Sequence, residues 1–305
     1  MCLILFAWQA HPDYPLVVAA NRDEWRERPA APATWWDDAP DILAGRDLEA
    51  GGTWLGVTRS GRFAAITNFR DPADRRSTAP SRGQLVADFL RGDDSPRNYL
   101  EALSPKAARY NGFNLLLADE KSMCYFGSRE GEIIDVPPGI HGLSNHLLDE
   151  PWPKVEKAKS ALGAILGALT GVHRRGAPRE AWGSTQRDPA KNASDGKASG
   201  ETAENSKSPV DGDFEALMAG NALQERSFAF LSDRALHADS VLPDTGVGLE
   251  WERVLSPALI VTEKYGTRCS TVVLRAKNEI VFEERTRGVD GEVTTVGAFR
   301  FDLAP

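Results

Sequence analysis

Two apolar, β-prone runs, Leu3–Trp8 and Leu16–Ala20, are separated by the turn cluster His11-Pro12-Asp13-Tyr14-Pro15. That pattern predicts a β-hairpin at the start of the chain. It puts Cys2 at the tip of a buried strand and Asn21-Arg22-Asp23-Glu24 where the second strand leaves the core. The rest of the chain must extend or cover the sheet this hairpin begins.

Further strands are predicted downstream. Residues 51–58 and Arg62–Phe69 read as a second hairpin turning at Ser60-Gly61. Asn114–Asp119, Cys124–Gly127, Glu132–Val136 and His141–Ser144 read as strands, as do Ala258–Glu263, Cys269–Ala276, Glu279–Arg285 and Glu292–Phe301. Between Pro29 and Trp36 the prolines and paired tryptophans predict a loop. Helical spacing of apolar residues marks Ser81–Leu90, with Leu85, Val86 and Phe89 on one face. Asn98–Leu103, Phe214–Met218 and Gln224–Ala235 are shorter helical stretches. Pro153–Leu169 is the clearest helix, its proline suited to the first turn. Strands at both ends with helices between them suit an α+β fold in which two antiparallel sheets pack between helix layers, although other α+β folds share that order.

The segment from Arg174 to about Gly212 has almost no large apolar residues beyond Trp182 and Val210. It buries too little surface to offset ordering entropy and is predicted to be a disordered insert within one domain spanning residues 1–305. A net charge of -8 disfavours nucleic acid as the main partner, because phosphate binding needs a basic face. No run approaches the roughly 18 apolar residues of a membrane span. The three cysteines, Cys2, Cys124 and Cys269, are odd in number and far apart, unlike a disulfide framework or a zinc site. Together with the lack of a secretory leader, this predicts a cytoplasmic protein.

Cys2 is the residue with the most chemical promise. Removal of Met1 would leave a thiol and an α-amine on one residue, and the amine can take the thiol proton. The alternative is an inert, buried strand cysteine.

Several motifs bear on that choice. Ala20-Asn21-Arg22-Asp23-Glu24-Trp25, Gly51–Gly56 (GGTWLG), Ala65–Phe69 (AITNF), Tyr110–Asn114 (YNGFN), His141–Asn145 (HGLSN) with Pro151-Trp152, and Tyr265–Thr271 (YGTRCST) occur in that order. In content and order they resemble the NRDE family, the transport-and-Golgi-organisation-2-like proteins. The resemblance runs from Met1 to about Arg285. That family is in turn similar to the cysteine N-terminal-nucleophile hydrolases, such as penicillin V acylases and bile salt hydrolases. The resemblance therefore implies an αββα sandwich. By position it implies a catalytic set of Cys2, the Arg22, Asp23 and Glu24 segment, Asn68, Asn145 and Arg268. Asn21, Trp54, Asn111 and Asn114, inside the shared motifs, are the implied substrate-binding positions.

In such a site Asn68 and Asn145 would donate N–H groups to an oxyanion. Arg268 would depress the Cys2 thiol pKa. Arg22 would do the same or clamp a substrate carboxylate. Asp23 or Glu24 would orient the α-amine. In the hydrolases the arginine precedes the aspartate by three residues, whereas Arg22 directly precedes Asp23. Strand alternation puts Arg22 and Glu24 on one face, which favours that pair if the segment stays extended. Each residue also has a structural alternative: Asn68 as a turn residue, Asn145 as a cap, and the two arginines as ion-pair partners. Trp8 and Trp54 suit the core, and Trp35 and Trp36 suit either core or pocket.

Two functions are implied by the resemblance. One is a cysteine amidohydrolase or acyltransferase acting on a small acylated compound, with no required cofactor. The other is a binding or trafficking protein for heme or acyl-CoA and lipid, using the same pocket without turnover. His141 and His146 are weak ligand candidates, better read as structural.

Overall fold

The computed structural model describes residues 2–74, 76–175 and 209–304. The opening runs form the predicted hairpin, β1 (Cys2–Trp8) and β2 (Leu16–Trp25). All seven residues of β1 are buried, which requires cover on both faces of its sheet. One sheet has the order β10-β1-β2-β11-β12-β13, with β10 at Gly139–Leu143, β11 at Tyr265–Arg275, β12 at Glu279–Arg287 and β13 at Val293–Asp302. The other runs β3 to β9 in chain order: Ala30–Trp36, Ala39–Asp47, Leu55–Thr58, Phe63–Asn68, Phe113–Ala118, Met123–Gly127 and Ile133–Asp135. Every named pairing is antiparallel.

Alternation along β1 divides the core. Ile4 and Phe6 face the other sheet with Val18, Ala20, Val57 and Leu116, while Leu3 and Leu5 face helices with Val17 and Ala19. Helices α3 (Pro153–Arg175) and α4 (Pro209–Leu231) cover that second face through Val155, Leu162, Leu223 and Phe228. On the far side, α1 (Gly83–Arg91) buries Leu85, Val86 and Phe89, and α2 (Pro96–Leu103) buries Leu100. Ser95 caps α2 by accepting the Asn98 N–H at 3.2 Å, with Pro96 in the first turn. The result is the expected α+β architecture, an αββα sandwich of two antiparallel sheets between helix layers. Among the described residues no helix is long and apolar enough to cross a membrane.

Three expectations need correction. The stretch predicted as loop from Pro29 to Trp36 forms edge strand β3, and β4 pairs with it. Its register slips between Ala31 and Thr34, which accommodates Pro32 where a regular ladder would need an N–H. The strand expected at Ala258–Glu263 is irregular chain with one bridge, Val261 to Gly266. Its backbone serves other partners, since Ala258 O accepts from Asn21 and the Ile260 N–H donates to Thr267 Oγ1. The two helices predicted around residues 214–235 are one, α4, and a short helix α5 (Leu249–Val254) was not anticipated. Most of the predicted insert, residues 176–208, lies outside the described residues, and its flanks belong to α3 and α4.

Candidate functional site

Several chain segments meet around Cys2. Cys2 opens β1 and pairs across the ladder with Arg22, which in turn pairs on its other side with Cys269 of β11. The three residues therefore form a row on the sheet face turned toward the second sheet. The segment stays extended through Trp25.

Cys2 is buried, with 7% of the residue exposed. Burial pushes its pKa above the ordinary value, against the nearby Arg22 charge and the Asp23 backbone N–H, which both favour thiolate. The expected depression by Arg268 does not occur. A bulge between Thr267 and Cys269 takes Arg268 out of the pairing, and its guanidinium caps the carbonyls of Trp25, Arg26 and Arg28 at 2.9, 3.3 and 3.0 Å. Arg22 is the guanidinium that Cys2 feels. It is 9% exposed, and among the described residues its side chain makes no hydrogen bond, only a long 4.0 Å ion pair with Asp47. Asp47 in turn is held by Arg28 at 2.7 Å.

The neighbouring acid is Asp23 and not Glu24. Glu24 turns its carboxylate back to accept the Trp25 N–H at 2.8 Å near the surface. Asp23 is 1% exposed and accepts from Thr267 Oγ1 at 2.7 Å. Burial raises its pKa, while Lys154, Thr267 and Arg70 pull it down.

The two asparagines meet as well. Asn145 Nδ2 donates to Asn68 O at 2.9 Å, and the Arg70 N–H donates to Asn145 O at 2.7 Å. Ser144 Oγ ties this loop to β1 by donating to Cys2 O at 3.1 Å. The half-buried Asn68 side-chain amide makes no hydrogen bond among the described residues. The amide of Asn145 is thus partly committed to the fold, and that of Asn68 is open.

The four implied substrate-binding positions do different work. Asn21 Nδ2 donates to Leu231 O and Ala258 O at 2.9 and 2.8 Å, pinning the end of α4 to the sheet. Asn114 Nδ2 donates to Thr67 Oγ1 and His146 O, and its oxygen accepts from Tyr125. Asn111 exchanges hydrogen bonds with the backbone of Arg76. Trp54 lies in the same hydrophobic cluster as Cys2. The side-chain amides of Asn21, Asn111 and Asn114 are thus engaged within the fold. His141 is held by Asp149 at 2.7 Å and Pro137 O at 3.0 Å, which fixes it as structural.

A second group of residues, unforeseen in the sequence, closes the helix side of the site. Lys154, in the first turn of α3, is 5% exposed and donates to Leu255 O at 2.8 Å. Burial and the Arg70 charge lower its pKa to about 8, opposed by Asp23, Cys2 and Glu252. Arg70, just past β6, forms a buried 2.6 Å ion pair with Glu252 of α5 and lies over the Trp152 ring. Tyr265 packs edge-on against Trp25 and Trp251 with centroids 5.3 and 6.0 Å away. Tyr265 and Trp152 lie in motifs already visible in the sequence. Lys154, Arg70 and Glu252 carry no local signal, because only the fold brings them together. Among the described residues no group of three or more His, Cys, Asp or Glu side chains is arranged to hold a metal.

Among solved structures, the chain is similar to the C2A mutant of conjugated bile acid hydrolase from Clostridium perfringens. Identity is 12%, coverage is 98% of this chain and 92% of that one, and the TM-score is 0.40. It is also similar to a Caenorhabditis elegans ortholog of N-acylethanolamine-hydrolyzing acid amidase, at 8% identity over 54% of this chain and 79% of that one, with a TM-score of 0.37. These likenesses are too loose to bear on chemistry. In sequence it is 44% identical over 168 residues to the Transport and Golgi organization protein 2 homolog of Bos taurus, and 42% identical over the same length to that of Homo sapiens. Each match covers 51% of this chain and 60% of the relative, so the aligned part spans under two thirds of those proteins. The model of the family described as Transport and Golgi organisation 2 matches residues 1–288, and the chain belongs to that family.

Proposed function

We propose that this protein is a cysteine-nucleophile amidohydrolase or acyltransferase acting on a small acylated compound, with Cys2 as nucleophile after removal of Met1. The observation that carries the reading is the meeting of Cys2 with Arg22, Asp23, Asn68 and Asn145 at one end of the sandwich. In the proposed reaction the α-amine of Cys2 takes the thiol proton, and the sulfur attacks the acyl carbon. The amine or alcohol leaves with that proton, and water or an acceptor amine then releases the acyl group. Asn68, with its amide open, faces the developing oxyanion. Arg22, buried and without a hydrogen bond among the described residues, suits a negatively charged group on the substrate and favours thiolate. Asp23 holds the α-amine. All three cysteines are free, which fits work in a reducing, cytoplasmic setting.

The test is intact-mass and N-terminal peptide analysis of the full chain after brief alkylation at neutral pH, followed by an acyl-substrate screen. The expected result is loss of Met1, labelling of Cys2 ahead of Cys124 and Cys269, and acyl turnover that Cys2→Ala abolishes. Retained Met1 in natively processed protein, or full turnover in Cys2→Ala, overturns the proposal. A second reading is supported by the upward pressure of burial on the thiol. On it the same pocket binds acyl-CoA or heme without turnover, which predicts saturable binding that weakens in Arg22→Met.

A further inference from the structure

The helix side of the sandwich carries a recess of about 330 Å³ between the first turns of α3 and the end of α4. That lies within the range of about 300–1,000 Å³ in which small-molecule sites fall. Ala158, Ala161, Ala229, Phe230 and Ala258 give it apolar walls, and Lys154, Lys157, Asp233 and His237 supply its polar groups. Cys2 does not line it. A smaller recess formed by Arg70, Trp152, Glu252 and Leu255 abuts it, and the two share Lys154 and His237.

The charges in this recess are unevenly committed. Lys157 is held by Asp233 at 2.5 Å, so that pair is internally neutral. Arg70 and Glu252 likewise pair at 2.6 Å. Lys154 is different. It is 5% exposed, has three N–H donors, and makes one hydrogen bond, to Leu255 O. Among the described residues its other two N–H bonds have no acceptor. The half-buried His237 ring also makes no hydrogen bond among them, its backbone N–H alone donating to Ser256 Oγ at 3.3 Å. Asp23 is near enough for its charge to favour the ammonium form of Lys154, but the two make no hydrogen bond among the described residues. A buried ammonium with open donors favours an anion, since leaving such donors unmatched is costly.

We infer that this recess is a binding site for a small monocarboxylate with an apolar tail, its carboxylate on Lys154 and His237 and its tail along Ala158, Ala161 and Phe230. A single uncommitted cation selects one negative charge, and the neutral Lys157–Asp233 pair adds no second positive one. The small side chains of Ala158, Ala161 and Ala229 and the Phe230 ring present an apolar wall that suits a methylene chain. Lys154 also feels the charges of Asp23 and Cys2, but Cys2 does not line the recess, so binding there is read separately from turnover.

The test titrates the full-length chain with hexanoate, by calorimetry and by ligand-observed NMR, using hexan-1-ol and hexylamine as matched neutral and cationic probes. Cys2→Ala is titrated in parallel and binds hexanoate like the unaltered chain. Hexanoate saturates at least about tenfold more tightly than either probe, and Lys154→Met removes that preference, a difference near 1.4 kcal/mol. Ala161→Phe, at a half-buried position, fills the floor while keeping the lysine and abolishes binding in a chain that melts normally, so the inference stays testable if Lys154→Met does not fold. Equal binding of hexanoate and hexan-1-ol overturns it, as does no saturable binding or unchanged binding in Ala161→Phe.

Discussion

Glu252 offers a direct measure of how the helix side of the site is held together. Its carboxylate accepts Arg70 Nη1 at 2.6 Å, with the two side chains 5% and 3% exposed. It also accepts the N–H and Oγ1 of Thr245, at 2.9 and 2.6 Å. Replacing Glu252 with Leu leaves the Arg70 charge buried without its carboxylate and strands two Thr245 donors. Breaking a buried pair from one side costs about 3–5 kcal/mol. Loss of that size is a large part of the roughly 5–15 kcal/mol that holds a typical domain folded. Equilibrium urea unfolding followed by tryptophan fluorescence reads it as a lower midpoint at unchanged slope. The double variant Arg70→Met/Glu252→Leu removes both charges and recovers at least half of the loss, because neither member of the pair stays buried without the other. A cost below about 1 kcal/mol for Glu252→Leu would refute the reasoning, since that is the range of exposed pairs. A double variant no better than the single would refute it too.

Other parts of the fold yield three more expected outcomes. Arg22→Met slows alkylation of Cys2 several-fold at pH 7, because Arg22 is the side-chain charge favouring its thiolate; an unchanged rate by mass spectrometry would remove Arg22 from that role. Even so, Cys2 stays ahead of Cys124, which burial and Asp135 push up to about 12. Burial raises the Asp149 carboxyl, but hydrogen bonds from His141, Lys159 and the Gly142 N–H outweigh it and bring its pKa to about 2. Its contribution to stability is therefore present above the unfolded value near 3.8 and lost as pH falls toward about 2. Asp149→Asn flattens the stability profile over that window. It also lowers the His141 pKa, which the Asp149 hydrogen bond raises, as an imidazole NMR titration would record. Finally, Gly52→Ala places a Cβ 2.4 Å from the backbone of Gly83, so it costs about 1–3 kcal/mol or more in thermal or urea melts, and a neutral outcome would contradict that contact.

The strands and helices that were readable in advance are those with a one-dimensional signature. β1 and β2 are apolar runs around a proline turn, and α3 repeats its apolar residues at helical spacing. β3 escaped because it is a half-exposed edge strand with two register slips, so neither alternation nor composition marks it. α5 has six residues, fewer than two turns, and no periodicity can emerge from so few. At the site, strand alternation correctly put Arg22 and Glu24 on one face but could not show that Glu24 folds back onto Trp25 N–H. Nor could it show that a bulge redirects Arg268 to three carbonyls. Lys154, Arg70 and Glu252 come from α3, the end of β6 and α5, and their meeting is a property of packing alone.

The strand order has a temporal consequence. β2 lies between β1 and β11, and the hydrogen bond from Thr267 to Asp23 joins residues 244 positions apart. During synthesis from the N-terminus, the first hairpin exists long before the strand that completes its sheet. Such long-range pairing is slow and leaves an unpaired strand edge in the meantime. Through that interval the segment around Cys2 stays open to processing enzymes, and it becomes buried only when the last quarter of the chain arrives. A truncation that stops before β11 would thus leave the first hairpin as an exposed, aggregation-prone edge, with every residue of the N-terminal motif present and no site formed.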